Sequence, residues 1–187
     1  GIEINEKIGD LDSQLRDINE ERGSILSEIP NIPDESVPEG SDESDNVEIK
    51  RWGEIISSAF VPQDHTSLGL GLGMMDFDSA AKITGSRFVV LSGKLARLHR
   101  ALIQFMLDRA FHNGYEEIAP PLLVRPESMQ AAGQYPKFIG ESYETLDREF
   151  ALIPTSEVPL VNLHREEIVE EAQLPLRYTA YTPCFRR

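Results

Sequence analysis

The sequence ends in Cys184-Phe185-Arg186-Arg187, where two arginines follow an aromatic residue. A guanidinium is planar, stays charged at any working pH and can bond two oxygens of a carboxylate or a phosphate at once. Arg186 is therefore a candidate for holding an anionic group. The residues alone leave a second interpretation open, in which Arg186 is a surface arginine paired with a carboxylate. Arg187 comes next in the chain, so its side chain would point to the opposite face of a strand.

A second candidate site is Thr155-Ser156-Glu157, which combines hydroxyl groups with a carboxylate. If this stretch is extended, Thr155 and Glu157 lie on the same face, and one patch offers both a hydroxyl and a negative charge. The alternative is an ordinary helix start, where a hydroxyl caps the helix and the helix dipole favours the carboxylate. Both interpretations hold together if Thr155 binds a ligand while Ser156 caps the helix.

The remaining candidate residues, the single cysteine and the four histidines, do not indicate a catalytic or metal site. Cys184 is expected to be a small buried apolar residue, because no histidine near it in the sequence could activate the thiol. As the single cysteine it cannot form an intramolecular disulfide, and the four histidines lack metal-ligand spacing. We therefore predict no metal site built by the protein.

Residues 1–30 predict one long helix that ends at Pro30, since proline lacks the backbone N–H. This helix has a narrow heptad seam with charged faces around it, so it should pack against a single partner helix, as in an antiparallel hairpin or a coiled-coil dimer. The apolar residues of the seam are Ile4, Ile8, Leu11, Leu15, Ile18, Ile25 and Ile29. Residues 31–46 are acidic and lack a core of their own, which predicts an exposed linker.

The net charge of −14 is concentrated at the amino-terminal end, where residues 1–50 hold 15 acidic and 4 basic side chains. An acidic surface does not attract phosphates, so the composition argues against nucleic-acid binding by these residues. No stretch approaches the roughly 18 apolar residues of a membrane span, and no signal-peptide pattern is present. We expect a cytoplasmic location without membrane contact.

Residues 47–187 predict an α+β domain. Its clearest helix is 94–112, with leucines and a phenylalanine on one side. Further predictions are an edge strand near 47–51, later strands that include 150–153 and 177–185, and a helix over 157–171. Strands and helices do not alternate regularly, so we expect an antiparallel sheet with flanking helices.

Several strings, in this order and spacing, resemble the bacterial-type seryl-tRNA synthetases of class II. The helix ending at Gly114 and the strand 119–123 look like motif 1, and 133–138 resembles a segment beside the active site. Thr155-Ser156-Glu157 matches the family's Thr-x-Glu serine loop, and Phe185-Arg186-Arg187 matches the first positions of motif 2, Phe-Arg-x-Glu. Further matching strings are Ile29–Pro33, Ser41–Val47 and Gly85–Phe88.

The resemblance implies a returning helix of a coiled-coil arm (1–30), a linker (31–46) and the first part of a class II catalytic domain (47–187). It implies an enzyme, a serine–tRNA ligase that activates L-serine with ATP to seryl-adenylate and transfers it to the 3′ end of tRNA(Ser). The active protein would be a homodimer formed through motif 1. Magnesium would arrive with ATP, held by ligands outside this chain.

The same resemblance implies the roles of the candidate residues. Arg186 would be the catalytic residue and, together with Arg187, would bind ATP. Thr155, Ser156 and Glu157 would bind serine.

The sequence departs from the family pattern in two respects, and two other functions are alternatives. The glutamate that closes motif 2 is not in the sequence, so we expect the chain to be truncated at both ends and inactive alone. A catalytically inactive synthetase-like binding protein and a coiled-coil scaffold are the alternatives. The resemblance also places tRNA along the arm, which conflicts with the acidity of residues 1–50.

Overall fold

The computed structural model describes residues 2–187. Its α-helices are α1 (Ile2–Glu28), α2 (His65–Gly71), α3 (Phe77–Ile83), α4 (Gly93–His112), α5 (Pro126–Ala131) and α6 (Glu157–Val161). Its strands are β1 (Met75–Asp76), β2 (Val90–Leu91), β3 (Glu116–Glu117), β4 (Leu123–Val124), β5 (Ala151–Leu152) and β6 (Tyr178–Thr179). Short 3-10 turns cover Glu43–Asp45, Ile139–Glu141, Asn162–His164 and Glu171–Gln173.

The long α1 helix is present and leaves its apolar seam in solvent. Residues 3–50 are all exposed, and the seam residues Ile8 and Ile4 have exposed fractions of 51% and 65%. The two leucines and three isoleucines of the seam that follow Ile8 are similarly exposed. This helix therefore adds nothing to the buried core of the described chain, and its seam is accessible to another helix.

Helix α4 begins and ends within one residue of the predicted bounds. It stops because Gly114 adopts φ +81°, the left-handed conformation that glycine reaches without a Cβ clash. The amide of Gly114 donates to the Phe111 carbonyl at 3.0 Å, and that of Tyr115 donates to the Ala110 carbonyl at 3.1 Å. The chain leaves this cap directly into β3.

The strands pair in three separate two-stranded sheets. Strands β1 and β2 are antiparallel, as are β4 and β5, whereas β3 and β6 are parallel with Glu116 opposite Tyr178. The prediction of antiparallel pairing is thus right for two pairs and wrong for the third. The parallel pair joins the end of the motif 1-like region to the segment that leads into Arg186.

A small core lies beneath the candidate site. Its buried residues lie in β4, α5, β5 and α6 or directly follow β5, and they are Val124, Met129, Ala151, Ile153 and Val158. Ile153 is fully buried, and its backbone accepts from the Phe185 amide while its own amide donates to the Leu122 carbonyl. The core thus connects the candidate site to β4.

Two predicted elements are wrong. The helix expected over 157–171 ends at Val161, and Glu166 has φ +63°, which a helix does not allow. In a continuous helix Glu166 and Glu167 would stack on Glu170 and Glu171 as like-charged pairs, which destabilises it. The edge strand expected near 47–51 is absent, since residues 46–64 carry no helix or strand. Their apolar side chains are exposed and have no neighbouring strand to pair with.

Because Ile153 is fully buried in this core, Ile153→Val is expected to lower the free energy of unfolding by about 0.5–1.5 kcal/mol. Urea unfolding measures the change. Ile168→Val is the matched control, because the same methylene is removed from a side chain that is 97% exposed. Equal losses in the two variants would contradict this assignment of the core.

Candidate active site

Backbone hydrogen bonds fix the segment that carries Arg186. The Phe185 amide donates to the Ile153 carbonyl at 2.9 Å, and the Arg187 amide donates to the Glu141 carbonyl at 2.9 Å. Between them, Nε of Arg186 donates to the Pro154 carbonyl at 3.3 Å. The guanidinium is therefore held beside Pro154 and Thr155, even though the segment is not itself a regular strand.

A cavity of about 760 Å³ brings together three predicted site residues, Thr155, Arg186 and Arg187. Its remaining lining residues are Ser86, Arg87, Phe88, Tyr143, Pro154 and Cys184. Three arginines therefore line this space, and no aspartate or glutamate does. The arrangement is suited to a ligand that carries several negative charges.

The expectation that Arg187 would point away from Arg186 is wrong, because both residues line the same cavity. The alternation of side chains holds only in an extended strand, and residues 180–187 form no strand. The strand predicted over 177–185 is limited to β6.

A second, smaller cavity of about 180 Å³ adjoins Arg186 on another side. Gln134 and Phe138 line it together with Glu141, Ser142 and Pro154. The segment 133–138, singled out in the sequence, thus lies next to Arg186 in the structure. Arg186 faces both cavities and links them.

Ser156 and Glu157 line a different cavity, of about 550 Å³. It is bordered by α6 and β6, and His164 and Tyr178 form part of its wall. The structure therefore brings Thr155 to Arg186 but does not bring Glu157 into the arginine-lined cavity. Two neighbouring spaces share the stretch 155–157.

The helix-capping interpretation of Ser156 is also wrong. Ser156 occupies the N-cap position of α6, but its side chain makes no cap hydrogen bond. Its hydroxyl lies 2.7 Å from the Thr182 hydroxyl, and the Glu157 amide instead donates to Oγ1 of Thr155 at 3.3 Å. Ser156 therefore ties α6 to the segment that leads into Arg186.

His164 and Tyr178 form a rigid wall of the cavity that Glu157 lines. Their rings stack with centroids 5.8 Å apart, and Nε2 of His164 lies 2.9 Å from the Tyr178 hydroxyl. Nδ1 of His164 lies 3.0 Å from a carboxylate oxygen of Glu167. Both ring nitrogens are thus engaged, which sets the orientation of the imidazole.

Cys184 is exposed and lines the arginine cavity, so the prediction of a buried apolar cysteine is wrong. Its thiol donates to the Thr182 carbonyl at 3.6 Å. Cys184 is exposed because residues 180–187 form no regular strand that would place its side chain against the core.

Burial raises the pKa of the Tyr135 phenol, and its hydrogen bond to Glu144 at 2.7 Å adds to the effect. The folded protein then keeps this proton to higher pH than the unfolded chain. The stabilisation is fully present below the ordinary pKa of about 10 and is lost as the pH rises through the folded value. We expect the stability difference between wild type and Tyr135→Phe to shift across that alkaline range, as measured by urea unfolding at a series of pH values. A difference independent of pH would contradict the shifted pKa.

The sequence of this chain is similar to curated serine–tRNA ligases. It is 50% identical to the enzyme of Thermodesulfovibrio yellowstonii over 98% of this chain and 43% of that protein. It is 55% identical to the enzyme of Maricaulis maris over 92% of this chain and 41% of that protein. Over almost all of its length, the chain is therefore similar to part of a serine–tRNA ligase.

Two further comparisons agree with this similarity. Residues 138–187 match the tRNA synthetase class II core domain (G, H, P, S and T). The fold matches the crystal structure of seryl-tRNA synthetase from Pyrococcus horikoshii complexed with ATP, with a TM-score of 0.86 and 34% identity, over 99% of this chain and 46% of that chain. The chain thus spans less than half the length of the family members that it matches.

Within a seryl-tRNA synthetase fold, the arginine cavity contains residues that sequence reasoning did not select. Tyr143 comes from a distant part of the chain, and Ser86 and Arg87 were noticed only as part of the string Gly85–Phe88. The available signal was the glycine before Ser86, which marks a turn next to a basic residue. Spacing along the chain could not show that this turn meets Arg186.

The described part of the chain offers little for a resident cation. No group of three or more His, Cys, Asp or Glu side chains among residues 2–187 could hold a metal ion. The arginine cavity itself repels a cation, since its charged lining is entirely guanidinium. In the same part of the chain, no helix has the length and apolar character that crossing a membrane requires.

Proposed function

We propose that this chain forms part of a serine–tRNA ligase, which activates L-serine with ATP and transfers it to the 3′ end of tRNA(Ser). The observation that carries the proposal is the cavity lined by Thr155 and three arginines, with Arg186 held by the Pro154 carbonyl. The similarity to serine–tRNA ligases supplies the reaction. The relatives it rests on are serine–tRNA ligases, and a seryl-tRNA synthetase of the same fold was solved with ATP.

In the first step a carboxylate oxygen of serine attacks the α-phosphorus of ATP. A new oxygen–phosphorus bond forms, the bond to the bridging oxygen breaks, and pyrophosphate leaves with the electron pair. Negative charge grows on the phosphate oxygens, and groups that are already oriented stabilise it most effectively. Arg186 is the residue we propose for this role, because Nε is engaged by Pro154 and the terminal nitrogens remain for phosphate and carboxylate oxygens.

In the second step a hydroxyl of the terminal tRNA ribose attacks the serine carbonyl carbon, and AMP leaves. Residues 155–157 are proposed to bind serine beside the reacting groups. Thr155 lies in the arginine cavity, and Glu157 offers a carboxylate for the ammonium group of serine. A site that hydrogen-bonds the serine hydroxyl would reject alanine, because buried polar groups would be left unpaired.

Magnesium is proposed to enter with the phosphates of ATP. The arginine-lined cavity does not fit a cation of its own, because the charged residues that line it are all positive. Arg186 and Arg187 instead offer positive charge directly to the nucleotide.

We also propose a homodimer in the cytoplasm, with the motif 1 region at the interface. The support is α4, whose apolar stripe is exposed along Leu98, Leu102, Phe105 and Met106. An exposed apolar stripe of this kind is typical of an interaction surface.

The division of the chain into an arm, a linker and a catalytic part is also a proposal, and so is the binding of tRNA along the arm.

Serine-dependent exchange of pyrophosphate into ATP tests the proposed reaction, using the full-length protein that contains this chain. We expect exchange with serine and little with alanine or threonine. Binding of serine without exchange would instead favour the catalytically inactive binding protein. The absence of both would contradict the proposal.

A further inference from the structure

Arg87 reaches the candidate site from a part of the chain that is distant from both Thr155-Ser156-Glu157 and Phe185-Arg186-Arg187. It lies in the turn between α3 and β2, and it lines the same cavity as Thr155, Arg186 and Arg187. Phe88 and Ser86, its neighbours in the chain, line this cavity as well. Three consecutive residues of this turn therefore line the arginine cavity.

The backbone of this turn is in an unusual conformation. Arg87 has φ +71°, and Gly85 two residues earlier has φ +143°. Non-glycine residues rarely adopt positive φ, and such positions persist where the surrounding structure determines them. The conformation presents the turn to the cavity and is consistent with a positioned side chain.

The charges in the cavity are unbalanced. Among residues 2–187, no carboxylate lies within 4.0 Å of Arg87, Arg186 or Arg187, because the ion pairs of this part of the chain involve other residues. Three like charges around one space favour an anion between them. A serine carboxylate brings a single negative charge, whereas a triphosphate brings several.

We propose that Arg87 is a further nucleotide-binding residue, whose guanidinium binds phosphate groups of the incoming ATP in the cavity shared with Arg186 and Arg187. This inference rests on the proposed ATP-dependent function. Phosphate in the same cavity has a second source, the backbone of the tRNA end. The charge balance favours the triphosphate, because ATP must be bound here before any RNA is esterified.

The test measures the affinity of the full-length protein for ATP by calorimetric titration, without requiring turnover. Arg87→Gln is expected to weaken ATP binding by about tenfold or more, because a charge-assisted hydrogen bond is lost. Arg87→Lys is expected to recover part of the affinity, since it keeps the charge but lacks the planar fork. Binding of adenosine, which has no phosphate, should stay unchanged.

Arg125→Gln is the matched control. Arg125 is an exposed arginine at the start of α5 and is not among the residues that line the arginine cavity. Its replacement removes the same charge and should leave ATP affinity at the wild-type value. Circular dichroism of all variants shows whether each is folded, and Arg87→Lys keeps the test decisive if Arg87→Gln is not.

The outcomes separate the inference from the proposed function. If wild type binds ATP and Arg87→Gln binds it as Arg125→Gln does, the inference is overturned while the proposed function stands. If Arg87→Gln loses affinity for tRNA but keeps that for ATP, Arg87 serves RNA phosphates and the inference is again overturned. If wild type itself does not bind ATP, the proposed function fails and the inference fails with it.

Discussion

Arg186→Gln is expected to reduce serine-dependent pyrophosphate exchange of the full-length protein by roughly 100- to 1000-fold. The physical reason is that the guanidinium stabilises charge that develops at the α-phosphate only as the reaction proceeds. Glutamine can keep a hydrogen bond to the Pro154 carbonyl but carries no charge. The rate of exchange at saturating serine and ATP measures the effect.

Arg177→Gln serves as the control for this prediction. Arg177 is exposed and directly precedes β6, so the same charge is removed from a nearby surface position. We expect near-normal exchange in that variant. Similar losses in both would mean that overall charge, and not a group at the reacting phosphate, explains the effect of Arg186.

Glu157→Ala is expected to raise the concentration of serine needed for half-maximal exchange by roughly 10- to 100-fold while leaving ATP affinity unchanged. A carboxylate that accepts from the serine ammonium is lost, and nothing else described in the cavity of Glu157 carries a negative charge. Direct titration with serine and separate titration with ATP distinguish the two affinities.

Glu127→Ala is matched to this variant, because both glutamates lie in the first turn of a short helix. Any loss due only to the helix dipole should therefore be the same in the two variants. A serine affinity that is unchanged in Glu157→Ala would contradict the substrate role. Glu157 would then be an ordinary acidic residue at a helix start.

The cavity that Glu157 lines is separate from the arginine cavity, and this separation makes the Glu157→Ala result informative. Thr155 and Arg186 share one space, while Ser156 and Glu157 face another across the start of α6. If Glu157 binds serine as proposed, the substrate must reach both spaces across the stretch 155–157. The separate titrations show whether serine affinity depends on Glu157 even though it lies outside the arginine cavity.

Much of the local structure was predictable because it depends on neighbouring residues. The seam of α1 and the extent of α4 follow from helical periodicity. Gly114 ends α4 because glycine adopts the left-handed conformation without a Cβ clash, and this property depends only on the residue type. The family resemblance is of the same kind, since it rests on short strings read in order. The comparisons confirm it.

The failed predictions concern segments whose structure depends on distant partners. The region 47–51 alternates like a strand but has no neighbour to pair with, and the stretch after Val161 turns away where four glutamates would stack. The side chain of Cys184 and the direction of Arg187 were wrong for one reason. Both inferences assumed a regular strand, and residues 180–187 are irregular.

The sequence by itself thus determined the family resemblance, the long helices and the identity of Arg186, Thr155 and Glu157 as candidates, because these are properties of local pattern and residue chemistry. Only the tertiary structure decided which of them meet. Backbone hydrogen bonds from the Phe185 amide to the Ile153 carbonyl and from the Arg187 amide to the Glu141 carbonyl bring Arg186 to Thr155. Contacts across many residues of chain depend on the whole fold, so spacing could not show that Arg87 completes the same cavity.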